Sequence, residues 1–200
     1  MSQNISINSI PTASLSSRNK IHPQKFMLWM GIGSICMMFA GLTSAYIVKR
    51  NQGNWLEFDI PVYFWYSTLV IMLSSITIQF AVKAFKERAM QKYKALVTIT
   101  AILGIVFSYL QWIGFSFLNN HGIQLIGRGS NPAASFLFVI MLLHIVHVIG
   151  GVMALLIIFF KAFSSKIKTY SSISIELAAT YWHFVDLLWI YLFIFFYLIK

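Results

Sequence analysis

Five long apolar runs, separated by short segments that hold nearly all the charge, limit what this chain can fold into. They fall at about 26–48, 61–82, 95–118, 133–160 and 174–199. Each reaches the roughly 20 apolar residues that a helix needs to cross a bilayer. A buried backbone without water must satisfy its own hydrogen bonds, so runs of this length and character predict helices. The expected fold is all-α, a polytopic membrane bundle of five transmembrane helices. Residues 1–24 are rich in Ser, Asn and Ile without an apolar run, and read as a polar cytoplasmic N-terminal tail before a single membrane domain over 25–200. The first run is too long for a signal-peptide core and serves as a first span.

Composition supports a membrane class. Hydrophobic residues make up 58% of the 200 and charged ones 10%, where soluble domains carry about a quarter charged residues. The net charge of +10 does not indicate nucleic acid, because the cations lie in the short connections between apolar runs. Arg18, Lys20, Lys25, Lys83, Lys86, Arg88, Lys92, Lys94, Lys161, Lys166 and Lys168 fall on one side, and Lys49, Arg50, Arg128 and Lys200 on the other. This split of eleven to four predicts an N-terminus inside and a C-terminus outside.

Several local signals accompany the spans. Pro61 and Pro132 stand near helix starts, where the missing N–H costs nothing, and Asn131 is a candidate N-cap. Gly41 with Ala45, and Ala40 with Ser44, offer small-residue spacing for close helix approach. Trp29, Trp55, Trp65, Tyr46, Tyr63 and Tyr66 are placed for interfacial belts. The lone Cys36 lies in an apolar run, without CxxC or Cys/His metal spacing. The absence of a sustained repeat and of Gly/Pro-broken spans argues against an inverted-repeat transporter.

Ionisable groups inside a bilayer are costly, which makes them the candidates for function. His144 and His147, three apart, share a face of the fourth span. On the fifth, His183 lies about 10 Å and Asp186 about 15 Å deeper than Glu176. Gln79 and Gln111 are neutral companions, and Tyr181, Trp182 and Trp189 flank the polar positions. A His/His/His/Asp cluster between antiparallel fourth and fifth spans is geometrically possible. Three roles compete. A metal site ranks lowest, since thiolates and a second carboxylate pair are missing. A proton relay ranks higher. Hydrogen bonding that holds the bundle together, to side chains, carbonyls or lipid headgroups, ranks first. Glu176 can also be read as a first-turn carboxylate favoured by the helix dipole.

The fifth span, ELAATYWHFVDLLW (176–189), strongly resembles the last helix of cytochrome c oxidase subunit III, and YWHFVD (181–186) is its most specific element. HIVHVIGG (144–151), LSSITIQFA (73–81) and FAGLTSAYIVKR (39–50) resemble that family's other helices, so the likeness spans about 26–199. Ile35, in SICMMFAGL, stands where the family often has a glutamate, which puts a proton role for the first span in doubt. Five helices, against seven in mitochondrial members, resemble the short bacterial form without the N-terminal helix pair. The resemblance implies a non-catalytic accessory subunit of a respiratory haem–copper oxidase in the bacterial plasma membrane. It implies no cofactor in this chain, with haem and copper in partner subunits I and II. It implies packing on subunit I, a cleft for phospholipid, support of proton uptake and turnover, and membership of larger respiratory assemblies. Carried over by position, His144, His147, Glu176, Tyr181, Trp182, His183 and Asp186 form a lipid-cleft or structural polar cluster. The electron donor, cytochrome c or quinol, stays open. A stand-alone proton-coupled transporter and a membrane cytochrome ligated by His144 or His147 are the alternatives from other classes.

Overall fold

The computed structural model describes residues 23–50, 61–120, 132–163 and 172–199. Within them lie five helices: α1 (Pro23–Arg50), α2 (Val62–Lys86), α3 (Met90–Asn120), α4 (Pro132–Phe163) and α5 (Ser172–Leu198). Each is long and apolar enough to cross a membrane, and the chain is a multi-pass membrane protein. The ends agree with the expected spans to within a few residues. Pro23 and Pro132 open their helices and Pro61 precedes α2 with extended backbone, ψ 146°, as a residue without an N–H should. The polar tail and Asn131 lie outside the described residues.

The turn between α2 and α3 is closed by backbone alone. Ala89 N–H donates to Ala84 O and Arg88 N–H to Phe85 O, each near 3.0 Å. That is a Schellman pair, which needs a left-handed residue after the C-cap. Here it is Arg88, at φ 59°, where glycine is usual.

Pairwise contacts fix the directions. Thr77 meets Thr100 and Ser67 meets Gln111, so α3 runs back along α2. Phe107 meets His144 and Phe115 meets Phe138, so α4 runs back along α3. Gly151 packs on Trp182 and His144 on Trp189, so α5 runs back along α4. Lys25 pairs with Glu176, Thr43 with Tyr191 and Tyr46 with Phe195. α1 is therefore parallel to α5.

The core centres on α5, which packs against α1, α2 and α4. In its most apolar stretch 50% of residues are buried, against 17% for α1. The backbone of α1 approaches α4 and α5 but not its sequence neighbour α2. The spacing of small residues on α1 does not serve packing within the chain: Ala40, Gly41, Ser44 and Ala45 all face outward. Close approach occurs instead at Gly104 and Gly151. Trp29, Trp65 and Tyr66 are exposed, as belt residues should be, but Tyr46 is buried against Phe195 and Phe196. Trp55 lies outside the described residues.

Candidate functional site: a polar ladder along α5

The candidate residues do not converge on one point. They are strung along α5 at successive depths, and most of their partners come from α2 rather than α4.

At the end where α1 and α5 begin and α2 ends, Glu176 joins three helices. Lys25 Nζ of α1 donates to its Oε2 at 3.2 Å, and Lys86 Nζ of α2 lies 3.3 Å from its Oε1. Because α5 starts at Ser172, Glu176 stands past the first turn. Its stabilisation comes from two cations rather than from the helix end. A cleft of about 300 Å³ opens beside it between α1, α2 and α5, lined by Lys25, Trp29, Gln79, Glu176, Thr180 and His183 among others.

His183 lines that cleft and turns toward α2. Its Nε2 donates to Gln79 Oε1 at 3.1 Å and its Nδ1 lies 2.6 Å from Ser75 Oγ. A carbonyl oxygen can only accept, so the proton of the neutral ring sits on Nε2. Nδ1 then accepts from the Ser75 hydroxyl. Asp186 is 3% exposed, with Ser75 beside it. Neither carboxylate oxygen completes a hydrogen bond among the described residues. An unpaired buried carboxyl is a rare and expensive feature.

Trp182 is the mechanical centre. Its indole is buried, with Nε1 donating to Ser74 Oγ at 3.0 Å. The ring passes between two helices at glycines. A Cβ on Gly104 of α3 would stand 2.6 Å from Trp182 Cη2, and one on Gly151 of α4 would stand 2.9 Å from its Cε3. One side chain of α5 thus touches α2, α3 and α4. Tyr181 turns the other way, its hydroxyl donating to His147 O at 3.2 Å. His147 is committed to its own helix, Nδ1 donating to Leu143 O at 2.6 Å.

His144 is fully buried among rings. Trp189 lies 5.3 Å away, Phe107 5.9 Å and Phe39 6.5 Å between centroids. Both ring nitrogens are without a hydrogen-bond partner among the described residues. No hydrogen bond or ion pair joins His144 or His147 to His183 or Asp186 among them either, so the four do not make the cluster that spacing allowed. No three His, Cys, Asp or Glu side chains gather to hold a metal among the described residues.

The partners that sequence reasoning missed are small. Ser67, Ser74 and Ser75, with Thr68, carry the α2 side of the ladder: Ser67 receives Gln111 Nε2 at 2.9 Å and Thr68 receives Trp189 Nε1 at 3.0 Å. Ser67 and Ser74 are seven apart, and Ser75 and Gln79 four apart. Small polar residues repeating at helical spacing inside an apolar run were the available signal.

The chain's similarities to known proteins follow the same helices. A sequence model of the family "Cytochrome c oxidase subunit III" matches residues 55–200. The cytochrome c oxidase subunit 3 of Corynebacterium diphtheriae is 30% identical over 172 residues, 82% of each chain. The cytochrome bo(3) ubiquinol oxidase subunit 3 of Buchnera aphidicola is 28% identical over 199 residues, covering 96% of this chain and 95% of its own. The cytochrome c oxidase subunit 3 of Bacillus sp. PS3 is 26% identical over 186 residues, covering 90% and 86%.

Proposed function

This chain belongs to the cytochrome c oxidase subunit III family, and from that premise we propose that it is the non-catalytic accessory subunit of a respiratory haem–copper oxidase in a bacterial plasma membrane. The observation that carries the reading is the family match across all of α2 to α5. On this reading oxygen chemistry belongs to haem and copper in subunits I and II. The donor set here supports that division. His144 and His147 lie on one helix face, one walled by aromatic rings and the other bonded to its own backbone, a poor arrangement for ligating a porphyrin.

The subunit's part is support: packing on subunit I, holding phospholipid, and sustaining proton uptake during turnover, within larger respiratory assemblies where they form. The cleft beside Glu176 suits a lipid headgroup. It combines two lysines and several polar groups with apolar walls at Leu28, Val82 and Leu177, the mixture an amphiphile needs. His144, His147, Glu176, Tyr181, Trp182, His183 and Asp186 serve the bundle and this cleft. The distribution of Lys and Arg supports an inside N-terminus and outside C-terminus.

Cytochrome c is the proposed electron donor. Quinol is the second reading, favoured by the ubiquinol oxidase relative that aligns over 96% of this chain. Mild solubilisation and capture through a tag on Lys200 tests the whole proposal. Haem-bearing partner chains should follow the tag, and the captured complex should oxidise either cytochrome c or quinol. A chain that purifies alone with no haem partner refutes it. Alkaline phosphatase fused after Lys200 should be active and fused after Arg88 inactive. The opposite pattern reverses the orientation.

A further inference from the structure

The orphaned carboxyl of Asp186 has a way out. Ser75 carries one hydroxyl proton, and that proton is committed to His183 Nδ1, because Nε2 is the donor to the Gln79 carbonyl. Ser75 therefore has only lone pairs to offer Asp186. The two side chains can bond when Asp186 brings the proton itself, as a neutral carboxylic acid. An ionised Asp186 finds no donor: neither oxygen has a hydrogen-bond partner among the described residues. The ionisable groups on the helices packed around α5 do not face it as partners. Glu176 takes Lys25 of α1 and Lys86 of α2, and Lys83 of α2 pairs with Glu87. His147 of α4 turns to its own carbonyl and His144 to aromatic rings. Tyr46, Lys49 and Arg50 of α1, and Tyr63 and Tyr66 of α2, form no hydrogen bond or ion pair with Asp186. Buried charge without a partner is disfavoured by several kcal/mol, so the acid form is the one this setting holds.

We propose that Asp186 is the inner end of a proton-exchange path, Asp186–Ser75–His183, that opens through His183 Nε2 into the cleft between α1, α2 and α5. The ligand of the site is the proton. Release runs in three linked transfers. The Asp186 O–H bond breaks and its proton joins Ser75 Oγ. The former Ser75 proton joins His183 Nδ1, giving an imidazolium. The imidazolium gives its Nε2 proton to water in the cleft, beside Gln79. One proton leaves, one carboxylate remains, and the ring is left protonated on Nδ1 until it tautomerises. Uptake is the reverse. This goes beyond the accessory role above, since it concerns a site inside this chain and holds whichever electron donor the assembly uses.

Infrared difference spectroscopy reads the site directly. The tagged protein is used as isolated, with the subunits that accompany it, in lipid nanodiscs at neutral pH. Wild type minus Asp186→Asn should show a carboxylic-acid C=O band, and that band should shift on transfer to D2O. Ser75→Ala should keep the band but slow its shift by about tenfold, a barrier change of one broken step. Ser75→Thr, which retains a hydroxyl, should exchange at the wild-type rate. Failure of the band to depend on Asp186 overturns the proposal, as does a band that never exchanges. If Asp186→Asn does not accumulate, the comparison of Ser75→Ala with Ser75→Thr decides alone, and equal exchange in the two overturns the path. Loss of haem partners in the same preparation would instead count against the oxidase reading and leave the infrared result standing.

Discussion

The indole N–H of Trp182 donates to the Ser74 hydroxyl at 3.0 Å, which ties the centre of α5 to the centre of α2 inside the apolar region. Water cannot substitute for either partner there, so the geometry is held by the protein alone. The same indole fills the spaces left by two glycines on α3 and α4. The bundle is keyed around one ring.

That arrangement predicts coupled mutational effects. Trp182→Phe removes the donor and part of the ring and should cost about 2–4 kcal/mol of bundle stability. Gly104→Ala drives a methyl into the indole and should cost about 1–3 kcal/mol. In the double variant the smaller ring makes room, so the two costs should fall short of additive. Thermal unfolding in detergent of the four proteins checks this, and strict additivity would separate Gly104 from Trp182.

Glu176 is predicted to act as an electrostatic pin. Both lysines that reach it are substantially exposed, so each pair is worth at most about 1 kcal/mol. Glu176→Gln should lower the unfolding temperature slightly in dilute buffer, with the difference from wild type shrinking as salt rises. A salt-independent loss would mean that the carboxylate acts through packing rather than charge.

Much of this molecule was legible in the sequence because lipid permits so few folds. The five spans, their approximate ends and the depth order of Glu176, His183 and Asp186 follow from hydropathy and helix rise. The partners do not. Spacing puts His144 and His147 on one face but cannot say that the face meets Phe107 and Trp189 rather than Asp186. In an all-apolar helix the rotation about the axis is set by neighbours, not by amphipathicity. The same ambiguity hid the outward turn of Gly41 and Ala45, whose spacing is equally good for a partner or for lipid. Ser74 and Ser75, adjacent in sequence, reach different residues of α5, Trp182 and His183, and a periodicity argument sees only two small polar residues.

Gln111 carries a half-satisfied amide in the core. Its Nε2 donates to Ser67, while Oε1 has no partner among the described residues. Ser67→Ala should therefore cost about 1–3 kcal/mol by stranding the amide. Gln111→Leu, which removes both polar atoms, should cost less than Ser67→Ala or stabilise. Unfolding midpoints of the two variants rank them, and the reverse order would show that the amide is fully paired in the membrane.

Arg88 holds a left-handed backbone at φ 59° in which a Cβ costs about 1–2 kcal/mol. Arg88→Gly should raise the unfolding temperature, while Arg88→Val should lower it, since a β-branched side chain suits φ > 0 least. Equal effects of the two variants would place the role of Arg88 in its charge.

The missing approach between α1 and α2 has a consequence for how the protein is made. Synthesis proceeds from the N-terminus, so α1 enters the bilayer first, yet α2 offers it nothing to dock on. The α2–α3 hairpin can close as soon as Met90 and its successors are inserted, because its turn is complete in backbone hydrogen bonds. Phe39 must wait for His144 and His147 of α4, and Lys25, Thr43 and Tyr46 for α5. The first helix inserted is thus the last one fastened. For most of translation it is an isolated span, available to assembly factors and to proteases that survey the bilayer, and its capture by α5 marks the chain as finished.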